Sequence, residues 1–336
     1  MRIGNLYGPD ATFLGVPSAD PDEVSQWSDA GAVIIGAPFD GGTSHRSGCR
    51  FGPQAMRTTD YLPHDGKRPS LALGLDPLVD LGVVDLGDVE MPSGDTERSL
   101  HALEQRVSAV AAAGVIAVIL GGDHTIALPD VTGLARHVGW GRVSVIHFDA
   151  HADTGDSQFG SLYGHGTPMR RLIESGACRG DRFLQIGLRG YWPEPETLAW
   201  MAAQGMRSFE MSEIGALGLD AVLDEAIAIA TSDCDAVFLS VDVDVVDPGS
   251  APGTGTPEPG GLTSRQLLDA VRRIAMETPV GAMDVVEVSP PYDQAEITAY
   301  LGNRVVLEAL GGIAWRRRCE RGEDPRRPTD PLLRDR

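Results

Sequence analysis

Short apolar runs, most of them nearly continuous in Val, Ile and Leu, recur along the chain: AVIIGAP (32–38), LVDLGVVDLG (78–87), VIAVILGG (115–122), RVSVIHFDA (142–150), FLQIGLRG (183–190), AVFLSVDVD (236–244) and VGAMDVVEV (280–288). Runs without polar alternation read as strands covered on both faces. Between some of them, SLHALEQRVSAVAAAG (99–114) and TSRQLLDAVRRIAME (263–277) carry helical spacing. The first closes on Gly114, and the second opens on a Thr or Ser cap. Strands alternating with helices predict an α/β fold in three layers, with helices on both sides of a mainly parallel central sheet.

The chain's 336 residues could hold one large α/β domain or two ordinary ones. No repeat and no linker divides 1–315, so that span is expected to be a single domain. The basic, proline-containing stretch 316–336, RRRCERGEDPRRPTDPLLRDR, has little apolar content and is expected to be a disordered tail. The longest apolar segment, GVIAVILGG, is too short to span a bilayer, and the start MRIGNLYGPDATF has no apolar stretch after its basic residue. A cytoplasmic protein without a membrane partner is expected. The four cysteines are far apart and form no C-x-x-C pair, which indicates free thiols. A formal charge of −20 argues against a nucleic-acid surface, which needs clustered cations to displace counterions, and could steer a cationic substrate.

In an open parallel sheet, ligands bind beyond the carboxyl ends of the strands. Unusual polar residues gather there. VIAVILGGDH ends in His124, VIHFDAHAD in Asp149, His151 and Asp153, VFLSVDVD in Asp242 and Asp244, and AMDVVEV in Glu287. Alternate residues of a strand share a side, so Asp149 with His151, and Asp242 with Asp244, can each aim at one place. Two carboxylates about 4 Å apart repel by roughly 4 kcal/mol at an effective dielectric of 20. A marginally stable fold cannot absorb several such pairs. Either the acids take up protons or divalent cations sit among them. Four carboxylates and two imidazoles suit two divalent ions sharing a water that can act as hydroxide. The mainly oxygen donor set favours Mn²⁺, with Ni²⁺, Co²⁺ and Zn²⁺ as alternatives. Singly, each of these residues would read as an ordinary loop or surface group; their coincidence at one edge reverses that reading.

The motifs GGDHT, HFDAHADT, SVDVDVVDP with APGTGTPEPGGL, and MDVVEVSPPYD occur in this order, and over residues 30–313 the chain resembles the ureohydrolase (arginase/agmatinase) family. That resemblance implies an arginase-like sheet of about eight strands. It implies one Mn²⁺ on His124, Asp149, Asp153 and Asp242, and a second on Asp149, His151, Asp242 and Asp244, with Asp149 and Asp242 bridging. Glu287 matches the family's guanidinium-binding glutamate, and His165, in YGHGTP, its proton-carrying histidine. The reaction implied is hydrolysis of a guanidino compound to urea and an amine, with a homotrimer or homohexamer as the assembly.

Arginases carry an Asn two residues past the last aspartate of their DAHAD motif; here Gly155 stands there, which argues against arginine as substrate. Agmatine is the favoured guanidino substrate by resemblance. Guanidinobutyrate, guanidinopropionate, proclavaminate-type compounds and guanidine itself are the alternatives. Arg46, Arg50, Arg170 and Arg189 could serve a carboxylate-bearing substrate, while Tyr163, Tyr191 or Trp192 could receive an amine-bearing one. Tyr163, Arg189 and Trp192 are the candidate substrate contacts. Two rivals are a non-catalytic metal-binding regulatory homologue, which should have lost His165, Glu287 or a bridging aspartate, and a one-zinc deacetylase. Asp123 is either a support for a metal ligand or a turn cap.

Overall fold

A computed structural model describes residues 4–323. Eight strands form one sheet: β1 (Ala32–Gly36), β2 (Val84–Asp88), β3 (Ile116–Leu120), β4 (Val143–Phe148), β5 (Cys178–Leu188), β6 (Arg207–Glu210), β7 (Ala236–Asp242) and β8 (Val280–Val286). Their order is β2-β1-β3-β8-β7-β4-β5-β6, and every pairing is parallel. This is the expected three-layer α/β architecture.

Side-chain alternation sorts each strand between the two helical layers. In β3, Ile116, Val118 and Leu120 pack on one side and Ala117 and Ile119 on the other. The first side is covered by the helices Leu219–Ala230, Ser264–Glu277 and Ile297–Glu320, through residues such as Leu223, Val271 and Leu310. The second is covered by Thr96–Ala112, Ala127–Val138 and Pro168–Ser175, through Leu103, Val131 and Leu172. Both faces of the sheet are therefore dry, which explains strands without polar alternation.

The start signals behave as their chemistry requires. Asp95 accepts the Arg98 amide and caps the helix predicted at 99, moving its start to Thr96. Thr263 and Gln266 form a reciprocal capping box at the helix Ser264–Glu277.

Three segments differ from the sequence reading. LVDLGVVDLG is not one strand: Asp76 accepts the amides of Leu78 and Val79, and with Pro77 in the first turn it starts a short helix, Pro77–Asp80, before β2 begins. β6 has no apolar run, because a four-residue edge strand pairs on one side only and needs little of the core. The helix Ile297–Glu320 continues five residues past the boundary drawn at 315, with Ile313 and Ala314 buried just before it. The remainder of the expected tail, 324–336, lies outside the described residues. No described helix is long and apolar enough to cross a membrane.

The topology puts β3, β8, β7 and β4 side by side in the middle of the sheet. These are the strands whose carboxyl ends carry the unusual polar residues.

Candidate active site

His124 sits in a 3₁₀ turn (His124–Ile126) that follows β3 through Gly121 and Gly122. The bend needs glycine: a Cβ on Gly122 would lie 1.8 Å from the Phe39 carbonyl oxygen. Asp149 follows β4, Asp242 ends β7, and Glu287 follows β8. Asp153 (φ 53°) and Glu287 (φ 64°) hold left-handed backbone conformations, a strain of order 1–3 kcal/mol each that packed surroundings must sustain.

The six expected ligands converge. His124 Nδ1 lies 3.0 Å from Asp149 Oδ2, 3.0 Å from Asp153 Oδ2 and 3.3 Å from Asp242 Oδ2. His151 Nδ1 lies 3.0 Å from Asp244 Oδ2 and 3.5 Å from Asp149 Oδ1. The two oxygens of Asp149 thus face two neighbouring donor groups, one around His124 and one around His151 and Asp244. Asp242 reaches the first group through Oδ2, while its Oδ1 accepts the Asp244 amide. All these residues are buried except His151, which is partly exposed.

The tautomer of His124 decides what this cluster is for. Ser240 Oγ donates to Asp284 Oδ1 at 2.8 Å, so it accepts at 2.8 Å from His124 Nε2–H. In the neutral ring Nδ1 is then a bare lone pair; it is buried, without a hydrogen bond, and faces three carboxylate oxygens. Acceptors crowded this way need a cation between them. Asp244 Oδ2 is likewise buried without a hydrogen-bond partner. The donor set therefore fits a pair of divalent ions.

The charges behave accordingly. Burial pushes the Asp242 carboxyl well above its ordinary range, and the nearby Asp244 and Asp149 add to the push. Burial also opposes ionisation of Asp149, yet His147, which donates to it, holds it well below that range.

His147 is a site residue that the sequence reading passed over. Its Nδ1 faces the amide nitrogen of Gln185, a donor, at 3.2 Å, so Nε2–H donates to Asp149 Oδ2 at 2.8 Å and orients that carboxylate. The signal was present: His147, Asp149, His151 and Asp153 continue a single alternation. Ser240 and Asp284 had no comparable signal, since a serine and an aspartate within apolar strands reveal their partners only when β7 and β8 pair. Of the two readings of Asp123 the turn cap is the one observed: it caps the His124 turn through the Thr125 amide, and its Oδ2 accepts the Gly42 amide at 2.7 Å.

His165 and Glu287 meet beside the cluster. Glu287 Oε1 lies 2.9 Å from His165 Nδ1 and accepts the His124 amide at 3.0 Å, and the Cys49 thiol donates to Oε2 at 3.3 Å. Burial pulls the His165 imidazole down, but Glu287 overcomes it and raises the ring to about 9. Asp123, buried next to Glu287, is raised to about 6.

A pocket of about 300 Å³ opens over this assembly, lined by His151, Asp153, His165, Asp242, Trp192 and the polar Ser44, Ser157, Gln158 and Thr256. Of the three expected substrate contacts, only Trp192 lines it. Tyr163 faces a separate hollow with His101 and Leu128. The Arg189 guanidinium is consumed by the main-chain carbonyls of Gly187, Asp244, Val245, Glu258 and Pro259, which makes it a staple for two loops rather than a substrate contact. Arg50 pairs with Asp40, and Arg170 with Glu174 and Asp156. Arg46 lies over the Tyr292 ring, 5.3 Å from its centre.

Comparison with known proteins agrees with the geometry. The sequence model of the Arginase family matches residues 30–311. The chain is 40% identical over 302 residues to guanidinopropionase of Pseudomonas aeruginosa, covering 89% of this chain and 92% of that protein. It is 38% identical over 312 residues to proclavaminate amidinohydrolase of Streptomyces clavuligerus, with coverage of 92% and 95%. The solved structure of the latter superposes with a TM-score of 0.82 at 35% identity, over 92% of this chain and 99% of that one. Agmatinase of Edwardsiella ictaluri is 37% identical, with coverage of 92% and 94%. This chain belongs to the arginase family.

Proposed function

We propose that the protein hydrolyses a linear guanidino compound to urea and an amine at a pair of Mn²⁺ ions, with Ni²⁺ or Co²⁺ as the nearest substitutes. His124, Asp149, Asp153 and Asp242 would hold one ion, and Asp149, His151, Asp242 and Asp244 the other. The observation that carries this reading is His124 Nδ1, buried without a hydrogen bond and within 3.3 Å of three carboxylate oxygens. Bound in pairs, such ions supply a nucleophile from water near neutral pH.

The rest falls to the chain's own groups. Both hydrogen bonds from the site's framework fall on Glu287 Oε1, which leaves Oε2, touched only by the Cys49 thiol, to hold the planar guanidinium by charge-assisted hydrogen bonds. His165 supplies the proton without which an amine cannot leave. Trp192 forms an aromatic wall of the pocket.

Agmatine remains the favoured substrate. No Lys or Arg among the described residues lines the pocket, and the Trp192 ring can face an alkylammonium. Guanidino acids come second, because Arg46, free of ion pairs, stands as the available cation for a carboxylate, and because relatives include guanidinobutyrase and guanidinopropionase. Urea release from agmatine, 4-guanidinobutyrate, 3-guanidinopropionate and arginine by the Mn²⁺-loaded protein tests the reading. Release from at least one is expected, fastest from agmatine. No urea from any of them would overturn the proposal, and preference for a guanidino acid would move the assignment to that class.

A further inference from the structure

The loop after β1 is fastened to His165 at several points. The Gly42 amide donates to Asp123 Oδ2 at 2.7 Å, and the Gly42 carbonyl accepts the His165 amide at 3.0 Å. Two residues on, the Ser44 amide donates to His165 Nε2 at 3.1 Å, and Ser44 Oγ lies 2.7 Å from the same nitrogen. Glycine is required at 42, where a Cβ would lie 2.0 Å from Thr125 Oγ1. With Nδ1 on Glu287, both ring nitrogens of His165 are engaged. His165 and Ser44 both line the pocket with His151, Asp153 and Trp192, but both ring nitrogens already have partners within the protein.

From this arrangement we infer that Ser44 is the proton relay between His165 and the departing amine, a role that rests on the hydrolytic reading above. A backbone amide can only donate, so in the neutral ring its contact sets Nε2 as the bare nitrogen and puts the hydrogen on Nδ1, toward Glu287. The hydroxyl serves both states of the ring: it donates to bare Nε2 and accepts from protonated Nε2. In the step itself, the C–N bond breaks and its electron pair goes to the amine nitrogen. That nitrogen takes the Ser44 hydroxyl proton while Ser44 Oγ takes the proton from His165 Nε2, leaving serine unchanged and histidine neutral. His165 regains its proton from solvent in the next cycle.

The test compares Ser44→Ala and Ser44→Thr with wild type on an alkylguanidine and an arylguanidine. Proton transfer by a placed group is worth about 100-fold or more. Ser44→Ala should lose about that much kcat on the alkylguanidine with KM little changed, and less on the arylguanidine, whose weakly basic amine leaves without help. Ser44→Thr should restore most of the rate. Ser44→Ala/His165→Ala should be no slower than His165→Ala alone, because one chain of transfer is cut in both. Full kcat in Ser44→Ala, equal losses on both substrates, or additive losses would overturn the relay. A readout independent of turnover is the ¹⁵N spectrum of labelled histidine, assigned by His165→Asn. The relay requires Nδ1–H with bare Nε2 in the neutral ring, and the opposite tautomer refutes it even if no urea is ever detected. Absence of urea with the required tautomer would remove the hydrolytic reading, and the relay built on it, without faulting the geometry.

Discussion

At the scale of single residues, the site is a problem of too many acceptors, and its variants should divide by which acceptors they remove. Asp242→Ala deletes a carboxylate that the proposed assignment shares between the two ions, so metal content per chain should fall at both positions and turnover should vanish; full occupancy in metal analysis would count against its bridging role. Glu287→Gln leaves the cluster around His124 and Asp149 intact. Its metal content should stay near that of wild type while KM rises at least about tenfold, in line with the 1.5–3 kcal/mol of a hydrogen bond to a charged group. Asp130 poses a stability question of its own. It is buried in the helix Ala127–Val138 with both carboxylate oxygens unpartnered, and burial, with the charge of Asp284, raises it well above its ordinary value. An acid raised on folding gives its full stability below the unfolded value near 4 and loses it as pH climbs through the folded value. Asp130→Asn should therefore melt higher than wild type above neutrality, by a margin on the order of 1–3 kcal/mol that shrinks toward pH 5. A margin independent of pH would mean that folding leaves the Asp130 pKa unshifted.

At the scale of elements, what could be read beforehand followed from period and position. Strands buried on both faces write themselves as apolar runs, so β1, β3, β4, β7 and β8 were legible, and with them the edge where His124, Asp149, Asp242 and Glu287 had to lie. β6 was not legible, because an edge strand is held by β5 alone and asks nothing apolar of its sequence. Ser44 and Cys49 were equally silent: a loop serine acquires meaning only when Asp123 and His165 fold against it. Tyr163 and Arg189 failed as substrate contacts for the same reason in reverse, since nothing local tells which way a loop side chain turns. Two elements carry predictions. Arg57 is fully buried between Asp85 and Asp88, tying the helix Gly52–Thr58 to edge strand β2, so Arg57→Ala should cost about 3–5 kcal/mol in denaturant unfolding by stranding two carboxylates. Gly122→Ala would drive a methyl group into the Phe39 carbonyl and displace the turn that carries His124, so metal affinity should fall with little change in helix content by circular dichroism.

At the scale of the whole molecule, a net charge of −20 surrounds a pocket whose floor is carboxylate. For a cationic guanidino substrate, kcat/KM should decline as ionic strength rises, because screening shortens the reach of that field. Sedimentation is expected to report a trimer or hexamer, as the family resemblance implies. On the proposed function, the four central strands hold mutually repelling groups that cations join. The measurement that bears most directly on that claim is a titration of Mn²⁺ into chelator-stripped protein, with bound metal and urea release followed together. Activity should be absent at the start and reach its plateau at two ions per chain. Urea release by the stripped protein, or saturation at a single ion, would contradict the paired-ion account.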